Sequence, residues 1–156
     1  MTAKLAAGSK APAFNLHRNG EGHLSLASLR GKKFVLYFYP KDDTSGCTKE
    51  AVEFSALASD FAAAGVEVIG VSPDSVKSHD KFVAKYSLSV TLLADEKREA
   101  AEAWGVWVEK SMYGRKYMGV ERTTFLIGAD GRISRVWNKV KVAGHAQEVL
   151  EAARTL

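Results

Sequence analysis

The chain has 156 residues, 46% of them hydrophobic, with a formal net charge of +4 and one cysteine. One cysteine excludes an intramolecular disulfide, and no segment approaches the roughly 20 apolar residues of a membrane span, so the core must form by packing alone. The basic residues lie apart (Lys32 and Lys33, Arg115 and Lys116, Arg132 and Arg135, Lys139 and Lys141), with no long basic run and no zinc-finger spacing, so no nucleic-acid partner is expected.

In chain order, RNGEG (Arg18 to Gly22) supplies turn residues between two short extended segments, and Ser25 is placed to cap a brief helical turn that Gly31 ends. Phe34 to Tyr39 is an aromatic and β-branched run without polar alternation, which predicts a strand covered on both faces and stopped by Pro40. From Cys47 to Ala64 the pattern turns helical, with Phe54, Leu57, Ala58 and Phe61 at spacings of three and four and Gly65 as terminator. Val66 to Val71 reads as a strand. Ser75 caps a helix carrying Val76, Phe82, Val83 and Tyr86. Thr91 to Leu93 is extended, and Asp95 caps a helix through Trp104 that Gly105 ends. Thr123 to Ile127, the turn ADGR and Ile133 to Trp137 read as an antiparallel hairpin, followed by a helix from His145 to Arg154. This alternation predicts one α/β domain over residues 1–156, a central mixed β-sheet flanked by helices.

Cys47 falls where the buried strand and its loop give way to the first long helix. A thiol with a pKa of about 8.5 is mostly protonated at neutral pH, whereas the unpaired amides and dipole of a helix N-terminus favour the nucleophilic thiolate. Taken alone, a free cysteine reads as a small buried hydrophobe. His17, His23, His79 and His145 have no metal-ligand spacing, so they read as surface or cap residues and no metal is expected. Asp42 and Asp43 read as solvated turn residues. Trp104, Trp107, Tyr113 and Tyr117 read as packing aromatics, with a substrate or dimer surface as the alternative.

The spacing Pro40-x-x-x-Thr44-x-x-Cys47 resembles the peroxiredoxin family. More narrowly, YFYPKDDTSGCTKEA, MYGRKYMG and ERTTFLIGADGRI resemble its PrxQ group, also called bacterioferritin comigratory proteins, with the likeness running from about Gly8 to the end of the chain. The resemblance implies a thioredoxin-like fold, reduction of hydrogen peroxide and organic hydroperoxides without cofactor or metal, and site roles for Pro40, Thr44, Cys47 and Arg122. These roles suit the chemistry. Thiolate attack on an O–O bond leaves a sulfenic acid on Cys47 and negative charge on the leaving oxygen, which needs donors. Arg122, first in the strand RTTFLIG, offers fixed N–H groups. Thr44 offers a hydroxyl that can bond sulfur or peroxide and cap the helix. Pro40 shapes the loop and shields the thiolate. Glu50 is placed to pair with Arg122 and orient it, or is simply an acidic residue in a first helical turn.

The PrxQ group commonly has Pro where this chain has Ser45. Its members with a second, resolving cysteine carry it five residues after the first or in the helix that here holds Phe82 to Tyr86, and this chain has Val52 and Val83 at those places. A one-cysteine enzyme is therefore expected, its sulfenic acid reduced by an outside thiol such as thioredoxin or glutaredoxin with glutathione. The opening MTAKLAAGSKAP shows neither a secretory signal nor a transit peptide, and a lone thiol suits a reducing compartment, which predicts a cytoplasmic location with no membrane partner. A monomer or weak homodimer is expected. A redox sensor using the same thiol, a thiol–disulfide oxidoreductase and a structural module with an inert thiol remain the alternatives, although the second usually needs Cys-x-x-Cys.

Overall fold

A computed structural model describes residues 5–156; residues 1–4, which open the MTAKLAAGSKAP stretch, lie outside the described residues. The strands are β1 (Asn15–Arg18), β2 (His23–Ser25), β3 (Lys33–Phe38), β4 (Val66–Ser72), β5 (Thr91–Ala94), β6 (Trp107–Met112), β7 (Arg115–Val120), β8 (Thr123–Ile127) and β9 (Ile133–Trp137). The α-helices are α1 (Ser45–Ala56), α2 (Ala58–Ala63), α3 (Val76–Tyr86), α4 (Glu99–Ala103) and α5 (His145–Arg154). Seven strands form one mixed sheet in the order β2-β1-β5-β4-β3-β8-β9, and β6 pairs only with β7. Strands β3, β4 and β5 run parallel, so each connection must cross over, through α1 and α2 and then through α3.

The side-chain period of β3 divides the core. Phe34, Leu36 and Phe38 point to one layer, against Trp104, Phe125 and Ile127, whereas Val35, Tyr37 and Tyr39 join Cys47, Phe54, Phe61, Val149 and Leu150 in the other. Both faces are covered, which is why the run shows no polar alternation. A fully buried apolar side chain contributes roughly 1.5–3 kcal/mol and an exposed ion pair such as Lys32–Glu67 about 0–1 kcal/mol, so the two layers dominate stability. Gly70 stands opposite Tyr37 across β3 and β4, and a Cβ there would come within 2.7 Å of the tyrosine ring. The missing side chain makes room for Tyr37 to stack on Phe54, with ring centroids 4.7 Å apart.

Several expectations change. The helix expected over Cys47 to Ala64 starts two residues earlier and breaks at Leu57, whose φ of −99° and ψ of 7° leave the helical region. The break turns α2 so that Phe61 meets Phe54 at 5.9 Å, and Ser55, just before it, accepts the Ser89 N–H. Asp95 does accept the N–H groups of Ala100 and Ala101, but α4 begins only at Glu99, after Arg98 takes a left-handed φ of 60°. Strand β8 starts at Thr123, so Arg122 precedes it. Between Gly105 and Thr123, where periodicity assigns no element, β6 and β7 form a hairpin whose turn residues Tyr113 and Gly114 have φ of 53° and 79°. Positive φ at both positions suits the right-handed twist of a two-residue hairpin turn. Tyr113 is 99% exposed at its tip and packs on nothing, unlike the core residue Trp104.

Candidate functional site

The site forms where β3 ends. Strands β3 and β8 are antiparallel with Phe38 opposite Thr123, so the residue before Thr123 lies at the level where the chain leaves β3. The loop from Pro40 returns to start α1 beside it, and two turn-end residues 75 positions apart meet: Arg122 Nη2 donates to Cys47 Sγ at 3.2 Å. Gly46 permits this, since a Cβ there would stand 3.2 Å from the same Nη2. Arg122 Nη1 donates to Glu50 Oε1 at 2.6 Å. Glu50 is one turn after Cys47 on α1, so one guanidinium spans the thiol and the carboxylate along a single helix face.

Cys47 is 2% exposed, in the apolar layer with Tyr37, Tyr39 and Phe54. Burial opposes the charge of Arg122, but Glu50 and Cys47 together raise its pKa above the ordinary value. Burial pushes the Glu50 carboxyl up to about 7, against the opposing pull of the Arg122 charge and hydrogen bond. Its second oxygen, Oε2, is buried with no partner among the described residues. On β6, Lys110 is lowered by burial and then by repulsion from Arg122, which places a second cation in the field of the site; it lies in the hairpin that periodicity left unassigned.

Thr44 occupies the residue before α1, with extended φ and ψ of −97° and 156°, yet its side chain makes no capping bond. Its hydroxyl turns back and donates to the Lys41 carbonyl at 2.8 Å, so neither the expected cap nor a bond to sulfur is made. Pro40 is half-buried at the end of β3 and opens the loop. Val52 is 41% exposed and Val83 packs at the edge of the Cys47 layer; neither position holds a thiol.

Three polar expectations are corrected. Asp42 is buried rather than solvated, and His79 and His145, expected at the surface or as caps, are buried within α3 and at the first position of α5, because each finds polar partners inside. Asp43 is exposed, bonded to Lys85 and Tyr86, and His17 and His23 are exposed with rings 4.0 Å apart. His145 Nε2 meets Thr124 Oγ1 at 2.8 Å, and burial pushes its pKa down to about 4.

Glu50 and His145 act oppositely on stability. Glu50 titrates near 7 when folded instead of 4.5, so its stabilising contribution, complete below pH 4.5, is lost as pH rises through 7. His145 titrates near 4 instead of 6.5, so its contribution, complete above 6.5, is lost as pH falls through 4. Relative to the unmodified protein, Glu50→Gln is expected to gain stability as pH rises from 4.5 to 7, and His145→Gln to gain it as pH falls from 6.5 to 4. Urea midpoints across that range check this, and difference curves without slope would contradict it.

The AhpC/TSA family pattern matches residues 7–136. A putative peroxiredoxin bcp of Coxiella burnetii is 53% identical over 146 residues, covering 94% of this chain and 97% of that protein. Peroxiredoxin Bcp of Bacillus subtilis is 44% identical over 149 residues, 96% of this chain and 95% of that one. The solved structure of Xanthomonas campestris peroxiredoxin Q superposes with a TM-score of 0.90 at 43% identity, covering 96% and 97% of the two chains. With one cysteine in its sequence and with the thioredoxin-like arrangement of its sheet and helices, the chain belongs to the AhpC/TSA family as a one-cysteine member of the peroxiredoxin Q, or bacterioferritin comigratory protein, group.

Proposed function

We propose that Cys47 reduces hydrogen peroxide and organic hydroperoxides, is left as a sulfenic acid, and is restored by an external thiol because the chain has no other cysteine. Membership of a peroxiredoxin group makes the chain a thiol-dependent peroxidase. Alkyl peroxide reduction is the activity named for the Xanthomonas campestris bacterioferritin comigratory protein. The observation that carries the proposal is the contact of Arg122 Nη2 with Cys47 Sγ at 3.2 Å near the start of α1. A guanidinium donor and the helix N-terminus both favour the thiolate over the thiol.

The thiolate attacks the terminal oxygen of ROOH; the S–O bond forms as the O–O bond breaks, sulfur is oxidised, and RO⁻ takes a proton to leave as ROH. Arg122 stabilises the charge that grows on the leaving oxygen. The proton of the Thr44 hydroxyl is held by the Lys41 carbonyl, which leaves its oxygen lone pairs to accept the O–H of the hydroperoxide. Pro40 contributes no N–H to the loop and limits water there. For recycling, an outside thiolate attacks the sulfenic sulfur, water leaves, and a second thiol resolves the mixed disulfide. Thioredoxin or glutaredoxin with glutathione in a reducing cytoplasm fits this need. At 2% exposure Cys47 admits a small peroxide, whereas a protein thiol needs the first turn of α1 to open.

Peroxide consumption across a panel of thioredoxin, glutaredoxin with glutathione, and a small dithiol tests activity and recycling together. One equivalent of peroxide is expected to give a sulfenic acid, or an intermolecular disulfide, and excess peroxide to drive it to the sulfinic acid, read by intact mass with a sulfenic-acid trap. Spontaneous return to the free thiol without reductant would contradict the one-cysteine cycle.

A further inference from the structure

The loop between Pro40 and α1 is tied down by a buried polar network that the reaction above does not use. Asp42 and His79 have side chains 4% and 0% exposed, and His79 Nδ1 lies 2.7 Å from Asp42 Oδ2. The Ser78 hydroxyl donates to the same oxygen at 2.7 Å, and the Tyr39 hydroxyl donates to Oδ1 at 2.5 Å. The other ring nitrogen, His79 Nε2, faces the Leu93 carbonyl at 2.9 Å. A carbonyl only accepts, so Nε2 carries a proton. Nδ1 and Oδ2, 2.7 Å apart, therefore share a single proton between them. The pair is enclosed by Tyr39 just after β3, Ser78 from α3 and the Leu93 carbonyl from β5.

The same loop residue is held from its backbone. The Asp42 N–H donates to Asp74 Oδ2 at 2.8 Å, and that oxygen also accepts the Ser72 hydroxyl at 2.6 Å. Asp42 is therefore held through both its side chain and its main chain, five residues before Cys47. Between them lies Thr44, whose hydroxyl bonds to Lys41 within the loop, and then Ser45, where α1 begins. Thr44 and Cys47 follow Asp42 along the same loop, whereas Arg122 lies outside it, in the residue before β8. The exposed contacts of neighbouring Asp43 with Lys85 and Tyr86 join the same loop to the same helix but lie in solvent, where they hold weakly.

We propose that Asp42 and His79 are positioning residues for peroxide reduction: a buried hydrogen-bonded pair that fixes the path of the loop so that Thr44 and Cys47 meet Arg122 in reactive register. The proposal rests on the peroxidase reading of Cys47. It differs from a purely stabilising role in what it does to kinetics. Positioning lowers the rate of the fully ionised thiolate, the high-pH plateau of the oxidation profile, and leaves the midpoint of that profile in place.

Two measurements decide it. In the unmodified protein labelled with ¹⁵N-histidine, His79 Nε2 is expected to carry a proton and Nδ1 to show a strong hydrogen bond to Asp42; a ring protonated at Nδ1 alone, or an Nδ1 without that bond, would overturn the network. The second-order rate of Cys47 oxidation by hydrogen peroxide is then followed against pH. Misplacement of reacting groups by about 1 Å costs on the order of 100-fold, so Asp42→Asn and His79→Gln are expected to lower the plateau roughly 10- to 100-fold. Ser78→Ala, which removes one donor and leaves the pair intact, is a variant that keeps its fold and is expected to lower it about three-fold. Lys85→Ala should match the unmodified protein. An unchanged plateau in Ser78→Ala and in whichever pair variants fold, or a shifted midpoint with the plateau kept, would overturn the proposal. Unmodified protein that failed to react with peroxide would overturn the peroxidase reading instead, and the His79 spectrum, which needs no peroxide, would still separate the two.

Discussion

Cys47→Ser is expected to fold as the unmodified protein does and to consume no peroxide. The two side chains differ by one atom, and a serine hydroxyl in the 2% exposed site can still accept from Arg122 Nη2, so no buried donor is orphaned. Chemistry is lost because the nucleophile is the thiolate. A thiol ionises in a range that a protein can reach, whereas an aliphatic hydroxyl stays protonated and is a weak nucleophile. Oxygen is also a poor attacker of an O–O bond. Peroxide loss in the presence of excess dithiol, measured beside circular dichroism and a thermal melt, separates the lost reaction from a lost fold. Turnover above the uncatalysed background in a folded Cys47→Ser protein would remove Cys47 as the nucleophile. Because the chain has no other cysteine, no second thiol can substitute for it.

How much of this was legible in the sequence depends on how far apart the partners lie. The run Phe34 to Tyr39 announced a doubly covered strand, and the spacing of Phe54 and Phe61 announced a helix, because both signals are local periods. The break at Leu57 was hidden, since it follows from where α2 must pack rather than from Leu57 itself. The hairpin of β6 and β7 was hidden for another reason: Tyr113-Gly114 is a less marked turn signal than Asn-Gly, and the exposed Met112, Tyr117 and Met118 blur the alternation.

The site was legible through a spacing motif and its resemblance to a family; local physics alone did not assemble it. Thr44 was expected to cap a helix starting near Cys47; the helix starts at Ser45, so Thr44 does precede it, but a threonine can cap forward or bond backward, and here the Lys41 carbonyl takes its proton. Asp42 and His79 were misread because each looks like an ordinary surface residue until β3, α3 and β5 close around both. A burial that depends on three separate chain segments leaves no local mark.

Replacement of Arg122 is expected to slow Cys47 oxidation by roughly 100-fold or more, the usual cost of one lost preorganised donor set. Two roles compete for this residue, and the variants distinguish them. If Arg122 acts mainly by favouring the thiolate, Arg122→Lys should keep most of the rate, and high pH should rescue Arg122→Gln. If it acts mainly on the transition state, both variants stay slow at every pH. The geometry favours the second outcome. Nη1 is committed to Glu50 at 2.6 Å and Nη2 to Sγ at 3.2 Å, so the plane of the guanidinium is set from both ends. A lysine ammonium can satisfy Glu50 or sulfur but cannot fix a donor plane between them. Arg122→Gln carries a further cost: burial already pushes Glu50 up to about 7, and without the opposing Arg122 charge the carboxyl titrates higher still and stays protonated. The second-order rate of Cys47 oxidation against pH for the three proteins decides between the roles, with a smaller upward shift of the thiol midpoint expected in Arg122→Gln. A near wild-type rate for Arg122→Gln at pH 7 would remove Arg122 from the chemistry and leave its contact with Cys47 a structural one.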